Sequence, residues 1–580
     1  MSLHPRPYFS HQVLCRFQWV VCQLETLRRS VQPDVRAILE TLPKTLDETY
    51  ERVLKNINEN NRENARRLLH CLAVSVRPLR VEELAEILSF DFDAVQGGIP
   101  TFDAGRRPEN AEEAVLSACS SLIAIVNDGG SRVVQFSHLS AKEFLTSNHL
   151  ASLTGDLSQF HILPRSAHTM FAQVCFGYLL HVEDHIDDES FKYLPLARYA
   201  AQYWPAHVQF GDVASSLEDE MMSLFDADKP HLSAWVKTYD LDRQSDGKSR
   251  SEMPNPLYYA ALCGFPDLVE HLAIKYPHQV NAIGGFHEFP LVAALSRKHF
   301  RVAEVLLEHG GTVDIRGRGE ETPLYKIIRL NEETLDAVQV LLEHGADVNA
   351  RRKDLWTPLH LAVNIGELKL ARVLLEHHAD VNSQSDEGLA PLHLSSRRGA
   401  SLDPFDKDST LVTLLLESGA LVNLPAKDKT TPLHLASLNK RPKIVQVLLE
   451  HGANTDAEND EGKIPLQESV GSELNFPECH AMVLRLLLKY GAGAYGREMY
   501  HVTASDLAFC FGNDSDRISQ VLHGNSAKLN PLDRVAFHRD RHLYHIWLQG
   551  EYFYSEGMAS VSLTDYYARM RSGRECARFV

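Results

Sequence analysis

The amino-acid sequence predicts a predominantly α-helical fold: a helical module with one β-hairpin, then a helical linker, then a solenoid of helix pairs. Three observations lead to this prediction. A proline heads each of seven similar segments, at spacings of 34, 33, 35, 33, 41 and 33 residues. Pairs of adjacent leucines recur in phase with those prolines, as expected for a buried helical stripe. One stretch, residues 121–138, alternates like two strands joined by an Asn-Asp-Gly-Gly turn.

Each of the seven segments is predicted to form two helices. The clearest copy runs from Thr357 to Asn382 and reads TPLHLAVNIGELKLARVLLEHHADVN. Its threonine can cap the first helix, and its proline suits the first turn, where no N–H donor is needed. The heading prolines are Pro256, Pro290, Pro323, Pro358, Pro391, Pro432 and Pro465. The leucine pairs are Leu306-Leu307, Leu341-Leu342, Leu374-Leu375, Leu415-Leu416, Leu448-Leu449 and Leu486-Leu487.

A period near 33 residues with T-P-L-H at its head resembles the ankyrin repeat, a β-turn followed by two antiparallel helices. The resemblance implies a solenoid over residues 251–525, with about seven repeats and a degenerate cap, because one repeat cannot bury its apolar face alone. Insertions at 401–408 and 475–480 lengthen two repeats and favour partner-specific loops. The turns between repeats are predicted to extend as fingers at 316–321, 351–356, 383–390, 425–430 and 458–463.

Two further residue types have predicted structural roles in the repeats. The motif histidines His360, His393 and His434 are expected to hydrogen-bond between neighbouring loops rather than to act in catalysis or metal binding. A glycine after the second helix predicts a left-handed helix end, and His378 in that place predicts slight strain. The glycines are Gly310, Gly345, Gly419, Gly452 and Gly491.

The first half of the chain predicts a winged-helix pattern of three helices and a two-stranded wing. Helical periods cover residues 42–57, 61–75 and 79–88, and AEEAVLSACSS at 111–121 follows a long loop. The predicted hairpin comes next. Ser140, followed three residues later by Glu143, predicts a capping box for the helix after it.

Four sequence segments of this half resemble a known class of proteins. LPKTLDETYERVL, RPLRVEELAEIL, EEAVLSACSSLI and VVQFSHLSAKEFL look like the region that follows the NTPase domain in fungal NACHT–ankyrin proteins of the STAND class. The resemblance covers residues 17–250 and implies an NLR-like, nucleotide-gated signalling receptor. The implied organisation is a divergent segment at 1–30, a winged-helix-like module at 31–155, a helical linker at 156–250, the repeats, and a tail at 526–580.

The nucleotide site of that class requires the string G-x-x-x-x-G-K-[ST], whose amides and lysine hold phosphates. No such string occurs in the sequence, so the chain is expected to start after the NTPase domain. A truncated gene model, a short isoform and a divergent paralogue would each account for this. His138 occupies the place of the histidine that STAND winged helices present to ADP. The alternative is that His138 ends a strand and bonds locally.

Composition restricts the function classes. The formal net charge of −18 argues against nucleic acid or anionic membrane as partners, since both require a positive field. The helix at 111–121 carries Glu112 and Glu113 and no cation, so it is not expected to read a DNA groove. Nine cysteines without a C-x-x-C pair predict reduced thiols and a cytoplasmic protein. No apolar run is long enough to predict a membrane span.

No catalytic residue, metal ligand or cofactor is predicted. The sequence holds no G-x-S-x-G and no H-E-x-x-H string, so we expect no enzyme. His538, His542 and His545 share one helical face, but an amphipathic tail helix explains them as well as a metal site does. The acidic residues from Asp456 to Asp460 resemble a calcium-binding loop, but Gly462 stands one position after the place where that loop requires a glycine.

The predicted function is therefore a non-enzymatic protein–protein interaction or sensor scaffold from a STAND-type receptor. The alternative is a nucleotide-gated switch whose NTPase domain is missing from this chain. Against the acidic background, two adjacent fingers carry a cluster of cations and one tryptophan, and the later fingers are acidic. This polarity predicts a protein partner with an acidic patch, the alternative being solvated turn residues. The predicted partner-binding residues are Arg316, Arg318, Arg351, Arg352, Lys353 and Trp356.

Overall fold

The computed structural model describes residues 43, 45–96, 99–153, 155–181, 194–239, 255–330, 334–397, 407–470 and 477–492. They fall into two compact units divided between Thr312 and Val313, and each unit is described by itself. The predicted segment at 1–30, most of the insertion at 401–408, the degenerate cap and the tail with its three histidines lie outside the described residues.

The first unit begins with a module of short helices and two small sheets. Its helices are α1 Leu46–Lys55, α2 Arg62–Val74, α3 Val81–Glu86, α4 Ala111–Cys119, α5 Leu139–Leu145 and α6 Asn148–Ser152. Its strands are β1 Leu79–Arg80, β2 Phe90–Gln96, β3 Ile99–Phe102, β4 Ile123–Asp128 and β5 Ser131–Phe136.

The predicted hairpin is confirmed as β4 and β5, which pair antiparallel from Ile123 opposite Phe136 to Asp128 opposite Ser131. Gly129 and Gly130 make the turn with φ values of 56° and 87°, which glycine adopts without steric penalty. Strand β1 pairs with the other side of β5. The helix predicted from residue 79 therefore begins two residues later, because Leu79 is buried as part of this sheet.

A second hairpin, β2–β3, lies where the sequence analysis placed a loop. Phe90 pairs with Phe102, and both rings are buried beside Tyr178 at centroid distances of 6.2 and 4.9 Å. The alternation F-D-F-D and the Gly97-Gly98 pair in the sequence were available signals. Pro100, within β3, obscured them, because proline removes a ladder donor and argues against a strand.

The predicted helical linker contains α7 Pro164–Leu179, α8 Ala197–Val208, α9 Glu218–Leu224 and α10 His231–Thr238. Its core is aromatic. The Trp204 ring lies 5.1 Å from Phe176 and 5.5 Å from Trp235, centroid to centroid. The buried Trp235 indole donates a 2.8 Å hydrogen bond to the Ala201 carbonyl, so its polar atom is satisfied.

Helix pairs follow, each opened by one of the seven predicted prolines. In the first unit they are α11 Pro256–Cys263 with α12 Pro266–Lys275, and α13 Pro290–Ser296 with α14 Phe300–Glu308. The second unit contains α15 Pro323–Leu330, α16 Leu335–Glu343, α17 Pro358–Ile365, α18 Leu368–Glu376, α19 Pro391–Arg397, α20 Lys407–Glu417, α21 Pro432–Leu438, α22 Pro442–Glu450, α23 Pro465–Val470 and α24 Pro477–Lys489.

The leucine pairs contribute unequally to the core. The first leucine of most pairs, such as Leu341 and Leu374, has no solvent-exposed surface, whereas Leu375 is half-buried. In α24 the second leucine of the pair, Leu487, is the fully buried one, so the buried position lies one residue later than in the other repeats. The predicted left-handed helix ends are confirmed, with φ between 83° and 92° at the five glycines and 66° at His378.

Among the described residues, no helix combines the length and the apolar character that a membrane crossing requires.

Candidate partner-binding surface

Each finger of the second unit is a tight turn closed by two backbone hydrogen bonds. In the finger at 351–356, the Arg352 N–H donates to the Trp356 carbonyl at 3.0 Å and the Leu355 N–H donates to the Arg352 carbonyl at 2.9 Å. The fourth residue of this turn is left-handed. Glycine fills that place at Gly388 and Gly462, but Glu320, Leu355 and Lys429 have φ of 60–63° there, which is costly for a residue with a Cβ.

Neighbouring fingertips are joined by backbone hydrogen bonds. The Asp386 N–H donates to the Asp354 carbonyl at 3.0 Å, and the Lys427 N–H donates to the Glu387 carbonyl at 3.1 Å. The Asp460 N–H continues the series to the Asp428 carbonyl at 2.8 Å. The tips therefore form an ordered row whose spacing does not depend on their side chains.

The motif histidines tie the base of each finger to the next repeat, as predicted. The His360 Nδ1 atom accepts the Thr357 N–H at 3.2 Å, which requires the Nδ1 atom to be unprotonated. The proton then lies on Nε2, which donates to the Leu389 carbonyl at 3.0 Å. The Nε2 atoms of His393 and His434 donate in the same way to the Thr430 and Lys463 carbonyls, at 3.2 and 3.0 Å.

Burial lowers the pKa of all three histidines, and in His393 lowers it to about 4, because the charged imidazolium would lose its hydration. Backbone acceptors partly oppose this effect. The links between these repeats are therefore neutral hydrogen bonds at physiological pH.

A second set of links is made by asparagines in the turns. The Asn349 amide donates to the His378 carbonyl at 3.3 Å, and its Oδ1 atom accepts the Asp380 N–H at 2.7 Å. Asn382 and Asn423 bridge the following turns in the same way. Asp314 occupies the equivalent place earlier in the unit and only accepts, from the Asp347 N–H at 3.0 Å.

The repeat headed by Pro323 uses charge instead of histidine. Tyr325 stands in the histidine position, and the buried Glu321 carboxylate accepts from Lys326 at 3.3 Å and Arg329 at 3.0 Å. Arg352, from the next finger, reaches back to Glu321 at 3.4 Å and lies over the Tyr325 ring at 5.3 Å. Its bond to Asp354 raises the pKa of Arg352 and lowers that of Asp354.

The predicted cationic cluster is thus divided into internal and exposed members. Arg352 is half-buried and held by Glu321 and Asp354, so it supports the finger rather than extending from it. The Arg316 guanidinium donates to the Arg351 carbonyl at 2.8 Å and lies 3.7 Å from Glu320. Trp356 is half-buried, with its ring 5.9 Å from that of His360, so it covers its own repeat.

Arg351 and Lys353 differ from those residues. Both side chains are exposed, and neither makes an ion pair within the part of the chain that the structure describes. Arg318 is also exposed and has an interaction of its own. The fingertip surface that follows from the geometry therefore centres on Arg351, Lys353 and the exposed Leu355, while Arg352 holds the finger in place.

His138 makes local hydrogen bonds in the first unit. It is the N-cap of α5, and its Nδ1 atom accepts the Ser140 N–H at 3.2 Å. Because Nδ1 must then be unprotonated, the Ser140 hydroxyl donates to it at 2.7 Å and the Tyr50 hydroxyl donates to Ser140 at 2.8 Å. The predicted capping box is wrong, since Ser140 lies buried inside the helix and His138 does the capping.

Comparison with known families identifies the two regions. Residues 257–352, 331–403 and 400–499 match the model for ankyrin repeats in three overlapping copies. Residues 257–499 are ankyrin repeats. Residues 50–157 match the model described as the winged helix domain of GPI inositol-deacylase. The predicted fold class, a winged-helix module with helices followed by ankyrin repeats, is therefore confirmed.

The individual relatives cover parts of the chain. An azaphilone pigments biosynthesis cluster protein L from Monascus ruber is 29% identical over 310 residues, which are 50% of this chain and 64% of that protein. Rabankyrin-5 from Homo sapiens is 34% identical over 13% of this chain and 7% of its own length. Protein fem-1 homolog C from Homo sapiens is 43% identical over 49 residues, 8% of either protein. The chain spans less than two thirds of each relative.

Proposed function

We propose that this protein is a non-enzymatic interaction scaffold of a fungal STAND-type signalling receptor, in which the ankyrin fingers bind a protein partner. Ankyrin repeats generally mediate protein–protein interactions. The winged-helix match and the relative from Monascus ruber are compatible with the NACHT–ankyrin organisation that the sequence resembles. The scattered cysteines favour the cytoplasm, which fluorescence microscopy of a tagged chain tests.

The single observation that carries the proposal is that contacts within the protein fix the conformation of the finger at 351–356. Its Arg352 pairs with the buried Glu321, and its Asp354 carbonyl accepts a backbone bond from the next finger, so the tip is ordered before any partner arrives. Exposed Arg351 and Lys353 extend from this ordered turn and lack an ion pair among the described residues. An ordered cationic tip loses little conformational entropy on binding and attracts an acidic partner surface.

A pull-down comparison tests this surface. The variant Arg351→Glu/Lys353→Glu reverses the tip and leaves the Arg352 cluster intact. We expect it to lose partners whose capture by the wild-type chain weakens as salt is raised. The control Lys369→Glu/Arg372→Glu changes the same amount of charge on exposed positions of α18 in the same repeat. Equal capture by both variants at every salt concentration would contradict the proposal.

We also propose that the chain has no enzymatic activity and no tight nucleotide site of its own. The Nδ1 atom of His138 is occupied by Ser140, which favours the structural role for this histidine. Calorimetry with ATP and with ADP is expected to give no binding in the micromolar range, and a phosphate-release assay no turnover. Tight binding that His138→Ala weakens for ADP alone would support the nucleotide-gated alternative instead.

A further inference from the structure

Two adjacent fingertips carry opposite charges that no described residue neutralises. Arg351 and Lys353 are exposed on one finger, and Asp386 and Glu387 are exposed on the next. Within the described ranges, none of these four side chains makes an ion pair with another or with a third residue. The two tips are nevertheless adjacent, because the Asp386 N–H donates to the Asp354 carbonyl at 3.0 Å.

The later fingers pair part of their charge internally, and on the finger at 425–430 the exposed Lys427 and Asp428 balance each other. Lys429 lies 2.9 Å from Asp460, and Lys463 lies 2.5 Å from Glu461. The tips at 351–356 and 383–390 differ from these fingers, because each carries two exposed charges of one sign without an ion pair among the described residues, and the two signs are opposite. We name this pair of tips the bipolar patch and define it as Arg351, Lys353, Asp386 and Glu387.

A patch with a positive half beside a negative half is complementary to itself after rotation by 180°. Such a rotation sets the Arg351–Lys353 tip of one copy against the Asp386–Glu387 tip of the other, and makes the reverse contact at the same time. We infer that a second copy of this chain docks on the bipolar patch as an isologous pair. The inference rests on the proposed function, in which the fingers are the contact surface, and it names the partner.

Long-range repulsion opposes this pairing, since each chain carries a net charge of −18. Screening decides between the two effects. At an ionic strength of about 0.15 M the Debye length is about 8 Å, so charges spread over two molecules are largely screened while contacting fingertips are not. Exposed ion pairs are individually weak, so the association is weak and dissociates at high salt. Leu355, 39% exposed on the positive tip, adds apolar contact area.

Sedimentation velocity of the full chain over a concentration series tests the inference. At about 0.15 M salt we expect a concentration-dependent dimer, and at about 1 M salt a monomer. Arg351→Glu/Lys353→Glu makes the whole patch negative and Asp386→Lys/Glu387→Lys makes it positive. Each variant alone is expected to be monomeric, whereas their equimolar mixture regains the dimer. The control Lys369→Glu/Arg372→Glu keeps wild-type association.

Four outcomes are distinguishable. A mixture that dimerises when neither variant does supports the inference. A wild-type chain that stays monomeric at every concentration overturns it, as does a dimer that both charge-reversal variants keep. If the wild-type chain is monomeric and Arg351→Glu/Lys353→Glu still loses a captured protein, a different molecule occupies the patch. The proposed function then stands and only the self-association fails.

Discussion

The repeat headed by Pro323 and the three repeats that follow it are connected to their neighbours by different chemistry. In the later repeats a neutral histidine donates to the carbonyl at the base of the next finger. In the earlier repeat the direction is reversed, and Arg352 of the next finger reaches back to Glu321 and Tyr325. The same backbone geometry therefore tolerates a hydrogen-bonded and an ionic connection.

The ionic and the histidine connections are sensitive to different changes. The ionic connection is costly to break, because the Glu321 carboxylate is buried and loses a counter-charge when Arg352 is removed. Protonation of the His360 ring instead removes the bond from the Thr357 N–H, since Nδ1 must stay unprotonated to accept it, while Nε2 still donates to the next finger. The position that supports the cationic fingertip is thus the one whose connection does not depend on a histidine.

The largest expected effect comes from breaking the ionic connection. Glu321→Gln removes the buried carboxylate that pairs with Lys326, Arg329 and Arg352, and should cost on the order of 3–5 kcal/mol in the free energy of unfolding. Adding Lys326→Met should recover part of that loss, because it replaces a buried cation that faced the carboxylate with an apolar side chain. Urea denaturation, with hydrogen exchange to localise the change to the repeats, measures both. A double variant less stable than the single one would contradict the assignment.

The two kinds of repeat share one apolar core, which gives the next prediction. Leu341→Ala and Leu374→Ala both empty fully buried sites, one in each kind of repeat, and each should cost about 2–5 kcal/mol. Leu375→Ala serves as the control and should cost clearly less, because Leu375 is half-buried. Unequal costs at Leu341 and Leu374 in chemical denaturation would show that the connection, not the core, sets local stability.

Acidification should weaken the histidine-linked repeats selectively. The folded pKa of His393 is about 4, below its ordinary value of 6.5. Between these two pH values His393 binds a proton in the unfolded chain but not in the folded one. Stability is then full above the ordinary pKa and falls as pH decreases toward 4, by on the order of 3 kcal/mol for this residue.

The comparison variant is His393→Asn, which should lose less stability than the wild-type chain between pH 7 and pH 5. His377→Asn makes the same substitution at an exposed position of the preceding repeat and serves as the control. Parallel profiles for the wild-type chain and His393→Asn in urea titrations would mean that His393 is protonated without cost in the folded state.

The smallest expected effect concerns the finger between the two kinds of repeat. Leu355 has φ of 61° where the equivalent residue in the next finger is Gly388. Leu355→Gly relieves the steric strain but increases the freedom of the unfolded chain, so a net gain of about 1 kcal/mol or less is expected. Thermal unfolding measures it. A loss of stability would indicate that the leucine makes contacts worth more than its strain.

Much of the repeat architecture could be predicted because its determinants are local. Proline and threonine start each first helix, the leucine stripe has helical periodicity, and glycine ends each second helix within the same short segment. The hairpin at 123–136 was predictable for the same reason, since its turn lies in the sequence between its strands. The fold class follows from these signals alone.

The remainder depends on contacts between residues distant in sequence. The interaction of Arg352 with Glu321 spans 31 positions and looks in the sequence like any surface arginine on a finger. The spacing of Ser140 and Glu143 fits a capping box, but the Ser140 hydroxyl instead hydrogen-bonds to Tyr50 of α1, 90 positions earlier. The β2–β3 hairpin needed Tyr178 of α7 to bury its phenylalanines. Arg351, Lys353 and Trp356 could be named from the sequence, but their exposure could not.

The asparagine bridges have an evolutionary consequence. The side chains of Asn349, Asn382 and Asn423 each bond the turn that follows, and a duplicated repeat would carry its own bridge with it. Recombination could therefore lengthen or shorten this part of the array by whole repeats without new compensating substitutions. The repeat headed by Pro323 is an exception, because Glu321 depends on an arginine supplied by its neighbour. Exchanges that separate Glu321 from Arg352 should be selected against, so these two repeats should be inherited together.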